Sequence, residues 1–322
     1  MTMQTFWHTL PRPFFILAPM EAVTDVVFRL VVAEAAPPDV YFTEFTNATG
    51  WAHAGDKAIG GRLIKTDDER AIVAQLWGAD PASMANLARH CVKLGYDGID
   101  LNMGCPDASA VKTGGGAGLI RTPELAHAMI DAAKTSGLPI SVKTRLGYSR
   151  IDEWHDWLGG LLRQNVAALT IHLRTKKEMS KVPAHVELIS SIKQLRDEIS
   201  PETLLVINGD IRDRAHGLEL AQTYDIDGVM IGRGIFSNPF TFAHADESFN
   251  TNSTAHQTRL IALLHLHLNL YDKYATQTGR PYETLKRFYK IYIRDFEGAG
   301  TLRDRLMHTK STDEVRAILK SI

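Results

Sequence analysis

Cys105, held between Gly104 and Pro106 in the run Asn102-Met103-Gly104-Cys105-Pro106, is the residue of this chain best placed to do chemistry. The glycine permits a tight turn and the proline fixes the next φ, so the thiol is presented in one orientation. A positioned thiol can act as a nucleophile or donate a proton. The competing reading is a buried cysteine behaving as a small hydrophobe, which is how Cys91 reads. For Cys105 its company argues otherwise. Pro19-Met20-Glu21 and Gln75 precede it, and Lys143, Arg145, His172 and Arg174 follow, then Asn208-Gly209-Asp210 and Gly232-Arg233-Gly234. A lysine inside a strand is costly to bury unless it meets an anion or an electron-rich ring. The last two glycine turns suit a phosphate bound through backbone N–H groups, with Arg233 adding a charge-assisted bond. The glycine run at 114–118 can cradle phosphate or gate the thiol. The gate is favoured, because the later turns make the better phosphate site.

The elements that carry these residues are short apolar runs rich in β-branched residues, at 14–20, 40–45, 71–77, 98–103, 140–146, 168–174, 204–210 and 228–234. Amphipathic, helix-length segments separate them. Near-continuous hydrophobicity suits strands buried on both faces, and the alternation suits parallel βα units. About eight such units close a TIM barrel, in which every C-terminal strand end faces one mouth. Most of the runs end in one of the reactive groups above. A doubly wound open sheet, the structural alternative, would spread those groups along an edge. The expected fold is therefore α/β: a TIM (β/α)8 barrel over 1–243, then a small helical domain over 244–322. The stretch 243–255 is polar and reads as a linker, and helical periodicity follows at 257–276, 281–296, 302–308 and 311–320.

Composition narrows the class. The 322 residues are 44% hydrophobic and 23% charged, with a formal net charge of -1, so nucleic-acid binding needs a local basic surface. Two cysteines make no disulfide framework, and His265 and His267, two apart on a helix, face different ways, so no metal is expected. No apolar run approaches the ~18 residues of a membrane span, and residues 1–12 lack the features of a secretory leader. A cytoplasmic monomer away from membranes is the expectation. In the tail, Lys286, Lys290 and Arg294 are spaced i, i+4, i+8 beside Arg287, with Phe288, Tyr289 and Tyr292 interleaved. Such a stripe can contact RNA phosphates, or it can be a solvated helix face with its aromatics turned into the core.

Taken together, these segments resemble the tRNA-dihydrouridine synthases. The likeness rests on residues 18–25, Asn-Met-Gly-Cys-Pro at 102–106, Lys143-Thr144-Arg145-Leu146-Gly147, His172-Leu173-Arg174-Thr175, Asn208-Gly209-Asp210-Ile211 and Ile231-Gly232-Arg233-Gly234, in order along nearly the whole chain. It implies an FMN enzyme that reduces selected tRNA uridines to dihydrouridine, with NADPH as electron donor. By that resemblance, Pro19, Met20 and Glu21 lie at the isoalloxazine, Gln75 and Lys143 bond its polar edge, and His172 flanks it. Asn208, Gly209, Asp210, Gly232 and Arg233 hold the ribityl phosphate, and Cys105 is the general acid. Asn102, Arg145, Arg174 and the tail residues Lys286, Arg287, Lys290 and Arg294 are expected at the tRNA, which makes 244–322 a tRNA-binding domain. The chain departs from the family pattern in three places. Ala22 stands where a glycine is usual, Leu173 replaces the glycine of His-Gly-Arg-Thr, and 107–110 lacks the basic residue that often follows Cys-Pro. Two alternatives share part of the pattern: an FMN barrel reducing a free pyrimidine or other small enone, and an RNA-binding protein without catalysis. The first has no need of a basic tail, and intact Cys105 and Lys143 argue against the second.

Overall fold

A computed structural model describes residues 5–244 and 254–320 of the chain. Eight parallel strands form its centre: β1 (Phe14–Leu17), β2 (Val40–Phe42), β3 (Ile72–Trp77), β4 (Gly98–Met103), β5 (Ile140–Arg145), β6 (Ala168–His172), β7 (Leu204–Asn208) and β8 (Gly228–Ile231). Each pairs with the next, and β8 returns to β1 with Phe14 beside Gly228, so the sheet closes into the TIM barrel expected of the sequence. A two-residue strand, Thr46–Asn47, adds to the end of β3. Several strands stop short of the apolar runs that announced them. Thus β1 ends at Leu17 ahead of Pro19, and β7 and β8 end just before Gly209 and Gly232. Proline and glycine leave the ladder there, which frees the reactive residues to sit on loops.

Alternate strand residues point into the barrel. On the N-terminal side the inward set is apolar: Phe14, Ile16, Val40, Phe42, Val73, Ala168, Val206 and Met230 pack with buried Trp7 as one cluster. Continued toward the C-terminal ends, the same parity yields Gln75, Asp100, Asn102, Lys143, Arg145, His172 and Asn208. One end of the barrel is thus dry and the other polar.

Helices cover the outside: α1 (Val26–Ala35), α2 (Ala48–Ile59, broken at Gly55), α3 (Pro81–Lys93), α4 (Pro123–Lys134), α5 (Trp154–Leu162), α6 (Ile189–Ile199) and α7 (Arg214–Tyr224). Aspartates cap three of them, with Asp25, Asp80 and Asp213 accepting from the amides of Phe28, Ser83 and His216. Of the linker expected at 243–255, residues 245–253 lie outside the described residues, and Thr254 and Ala255 already belong to the helix that follows. In the tail, α8 (Thr254–Thr278) packs along α1, with His267 and Phe288 each within 6.0 Å of the Phe28 ring. Two further helices follow, α9 (Ala299–Met307) and α10 (Thr312–Leu319).

One expected helix is absent as such. Residues 281–296 form 3-10 turns at Tyr282–Phe288 and a single α turn at Tyr289–Tyr292, and the backbone leaves the helical region at Ile293 (φ -100, ψ 86). Phe288, Tyr289, Ile291, Tyr292 and Ile293 are all buried, a wider arc than one face of a straight helix turns inward. The stripe of Lys286, Lys290 and Arg294 is therefore not continuous.

Candidate active site

The C-terminal strand ends surround a cavity of ≈ 600 Å³. Pro19 and Met20 line it from the loop after β1, Lys143 and His172 from β5 and β6, and Asn208, Gly209, Asp210, Gly232 and Arg233 from the ends of β7 and β8. Register explains the gathering: Arg145 pairs with His172 and His172 with Asn208, so one row of residues rings the mouth. Gly234 is obligatory here, since a Cβ would lie 2.2 Å from the Arg212 carbonyl oxygen. Asp210, at φ 52, bridges Arg174 and Arg233, and its Oδ1 accepts from the Arg233 guanidinium at 2.9 Å. Partial burial pushes its carboxyl up, but hydrogen bonds from Arg174 and the Ala184 amide outweigh that and keep it ionised. An ionised carboxylate does not itself hold a phosphate; Asp210 aims Arg233.

Two groups in the cavity lack partners. Among the described residues the Lys143 ammonium makes no hydrogen bond or ion pair, and burial, with Arg145 nearby, lowers its pKa to about 8. The buried Nδ1 of His172 is likewise unbonded. Burial and the cations of Arg145 and Lys143 hold that ring neutral.

Cys105 faces a second cavity, of ≈ 540 Å³, walled by Glu21, Arg62, Trp77 and Asp107. The turn that presents it is organised from below. Asn102 Oδ1 accepts from the amides of Gly104 (3.1 Å) and Cys105 (2.9 Å), and Asn102 Nδ2 donates to Gln75 Oε1. Gln75 Nε2 in turn donates to Asp100, whose other oxygen accepts from Ser141. Asp100 is fully buried, and burial lifts its pKa to about 6. Gln75 and Asn102 are thus occupied with each other and with the turn, and neither lines the larger cavity. Burial pushes the Cys105 thiol up by more than the hydrogen bond from the Asp107 backbone lowers it, so the thiol is protonated at neutral pH.

The glycine-rich segment is a support and not a gate. Residues 115–120 are buried, and the Ala117 amide donates to the Cys105 carbonyl at 2.9 Å. Gly116 sits at φ 53, where a Cβ would meet that same carbonyl at 2.8 Å. A mobile flap needs few buried contacts, and this segment has many.

Arg145 and Arg174 turn inward. Arg145 donates to the carbonyls of Gly104, Thr175 and Met179, and Arg174 to Val182 and Asp210, so both tie mouth loops together. In the tail, Arg287 donates to the Ala22 carbonyl and Arg294 to Ser237, while Lys286 and Lys290 lie over the rings of Tyr282 and Phe236. Sequence reasoning missed Asp100, Arg62 and Trp77. Only Asp100 left a signal: it lies two residues before Asn102, on the inward face.

Residues 16–322 match the family model for dihydrouridine synthase. The chain belongs to this family. A probable tRNA-dihydrouridine synthase 2 of Bacillus subtilis (strain 168) is 54% identical over 98% of this chain and 96% of its own length. A probable tRNA-dihydrouridine synthase of Staphylococcus aureus (strain COL) is 55% identical over 98% and 95%. In shape the chain is similar to histamine dehydrogenase from Rhizobium sp. 4-9, with a TM-score of 0.52 at 14% identity, covering 80% of this chain and 48% of that one. That likeness concerns the fold alone. Like other dihydrouridine synthases, the protein is a flavin-dependent oxidoreductase.

The departures from the family pattern now have structural settings. Leu173 is fully buried in the core between barrel and helices. Asp107 caps the short helix Ala108–Lys112 by accepting from the Ser109 amide. Ala22 adopts φ 57, a left-handed conformation that glycine enters without steric cost, and its amide is fixed by Glu44. Ala22→Gly is expected to stabilise this dihydrouridine synthase by up to about 1 kcal/mol, read as a melting midpoint higher by ~2 °C. A lower midpoint would show that Ala22 is not strained.

Proposed function

We propose that this protein reduces selected uridines of tRNA to dihydrouridine, with FMN as its flavin, NADPH as electron donor and Cys105 as general acid. The observation that carries the reading is a protonated, positioned thiol close to a cavity that holds an unpartnered buried ammonium. The residues fit the cofactor. A volume of ≈ 600 Å³ suits a ligand of that size. Lys143 offers a cation to the electron-rich pyrimidine end of the ring system, Pro19 and Met20 wall it, and neutral His172 has a nitrogen to spare. Asn208, Gly209, Gly232 and Arg233 would hold the phosphate, with Asp210 orienting Arg233. Gln75 acts through Asn102, and Glu21 through its ion pair with Arg62 at the Cys105 cavity.

A flavin held by these residues would supply the hydride that uracil takes at carbon 6. Cys105 supplies the proton: as charge develops toward carbon 5, the S–H bond breaks, carbon 5 gains hydrogen, and the thiolate left behind recovers a proton from water. The target base must leave its stack to reach this mouth. In this reading 1–243 is the catalytic domain, 244–322 is the tRNA-binding domain, and the protein is a cytoplasmic monomer. A free pyrimidine as substrate would leave the basic tail without a purpose.

A visible spectrum of the purified protein, followed by NADPH-driven reduction of unmodified tRNA against free uridine, tests this. Flavin absorbance and a strong preference for tRNA are expected. A colourless protein that FMN does not reconstitute, or equal rates on both substrates, would overturn it. The affinity of the flavin-free protein for FMN should also decline as pH rises through about 8, where the Lys143 ammonium is lost. Lys143→Arg, which keeps its charge, should move that limb upward. A wild-type FMN affinity that stays level to about pH 9.5 would remove Lys143 from the charge-bearing role.

A further inference from the structure

Three of the tail's arginines spend their hydrogen bonds on the barrel, so the tail needs a further cationic surface to hold RNA. Arg287 and Arg294 are bonded to carbonyls of the loops after β1 and β8, and Arg280 is paired with buried Glu44. A second group of cations stands on the opposite rim. The Arg121 guanidinium lies 4.2 Å from the centre of the Tyr148 ring, and the Lys176 ammonium lies 4.9 Å from the same ring. The amides of Lys176 and Lys177 donate to the carbonyls of Gly147 and Tyr148, which stitches the loop after β6 to the loop after β5. Lys177 and Lys181 are exposed on that loop.

Nothing acidic balances them. Among the described residues, no ion pair or side-chain hydrogen bond engages Arg121, Lys176, Lys177 or Lys181. The nearby carboxylates are committed: Glu153 accepts from three amides at 148–150, Asp152 pairs with Arg150, and Glu178 serves Thr175 and His185. Two cations over one ring repel each other, and a bridging anion relieves that repulsion.

Topology gives the group its meaning. In a closed barrel of eight strands β5 stands across from β1, so this patch faces the tail over the mouth. The Cys105 cavity lies between them, walled by Glu21 from one side and Asp107 from the other. Arg121 ends the buried segment that seats Cys105, and Arg145 ties Gly104 to the patch loop, so the patch and the thiol share supports.

We propose that Arg121, Tyr148, Lys176, Lys177 and Lys181 form a second RNA-contacting surface that takes the phosphate backbone across the mouth from the helical tail. Tyr148 also offers a face on which an unstacked base can lie. The inference rests on the tRNA reading above and adds where the RNA is held.

The test uses the flavin-loaded enzyme and the triple substitution Arg121→Ala/Lys177→Ala/Lys181→Ala, all at exposed side chains. Binding of unmodified tRNA is followed by fluorescence anisotropy across a salt series. Affinity should fall at least about tenfold, and the slope of log K against log salt should become shallower by about 2–3, near 0.9 for each phosphate that is no longer neutralised. Flavin content and NADPH-driven flavin reduction without tRNA should match the wild type. If the wild type reduces tRNA while the variant binds it with unchanged affinity and slope, the patch is not an RNA surface and the functional reading stands. Slower flavin reduction by NADPH would reassign the patch to the dinucleotide and overturn the proposal. A wild type that neither binds nor reduces tRNA would sink the functional reading and the patch with it.

Discussion

Cys105→Ala is expected to slow uridine reduction by about 10²–10⁴-fold while the purified protein keeps its flavin. The thiol is half-buried and lines the second cavity but not the larger one, and it makes no hydrogen bond to the residues that do, so removing it takes no partner from the cofactor. Its backbone position depends on Asn102 and Ala117, both bonded to main-chain atoms, so alanine should adopt the same turn. Flavin reduction by NADPH, which needs no proton at uracil carbon 5, should be unaffected. The loss should therefore appear only when tRNA is added. Single-turnover oxidation of the pre-reduced enzyme by unmodified tRNA separates the two steps. Cys105→Ser should be nearly as slow, because a hydroxyl is a far weaker acid than a thiol. Loss of flavin from the alanine variant, or full activity in it, would remove Cys105 from the proton-donor role.

Much of this was legible from residue types. The eight apolar runs located every barrel strand, because strands buried on both faces leave an unbroken apolar signature. Polar residues at their ends located the mouth, because a parallel barrel sends every C-terminal end to one side. The turns at 208–210 and 232–234 line one cavity. What was hidden depends on side-chain direction and on contacts between distant segments. The link from Asp100 through Gln75 to Asn102 joins two strands, and no spacing rule within either reports it. Asn102, Arg145 and Arg174 look like substrate contacts in one dimension, yet most of their hydrogen bonds go to neighbouring protein groups, with Arg174 Nη1 left unbonded. The glycine run looked mobile because glycine is permissive; here it is small so that backbone can lie against Cys105. The tail failed for another reason. Periodicity at 281–296 suits a helix, but burying five residues between 288 and 293 overrides that preference.

Arg29→Met is expected to destabilise the fold by about 3–5 kcal/mol. Arg29 lies on α1 and is fully buried. Its Nε donates to Glu69 at 2.6 Å, and its two terminal nitrogens reach the carbonyls of Thr24 (2.9 Å) and Ile64 (2.8 Å) as well as Glu69. Methionine fills much of the space but leaves the buried Glu69 carboxylate without its counter-charge, and the carbonyls of Thr24 and Ile64 without the arginine's donors. Thr24 is also the residue whose hydroxyl receives the Met20 amide, so the change loosens the loop that brings Met20 to the cavity and Glu21 to Cys105. Stability and flavin retention should therefore fall together. Urea unfolding of Arg29→Met, Glu69→Gln and the double variant forms a cycle in which the pair should be less costly to lose together than the two single changes imply, because no uncompensated charge remains. Strict additivity in that cycle would mean that Arg29 stabilises by packing and by its carbonyl bonds, with the ion pair contributing nothing.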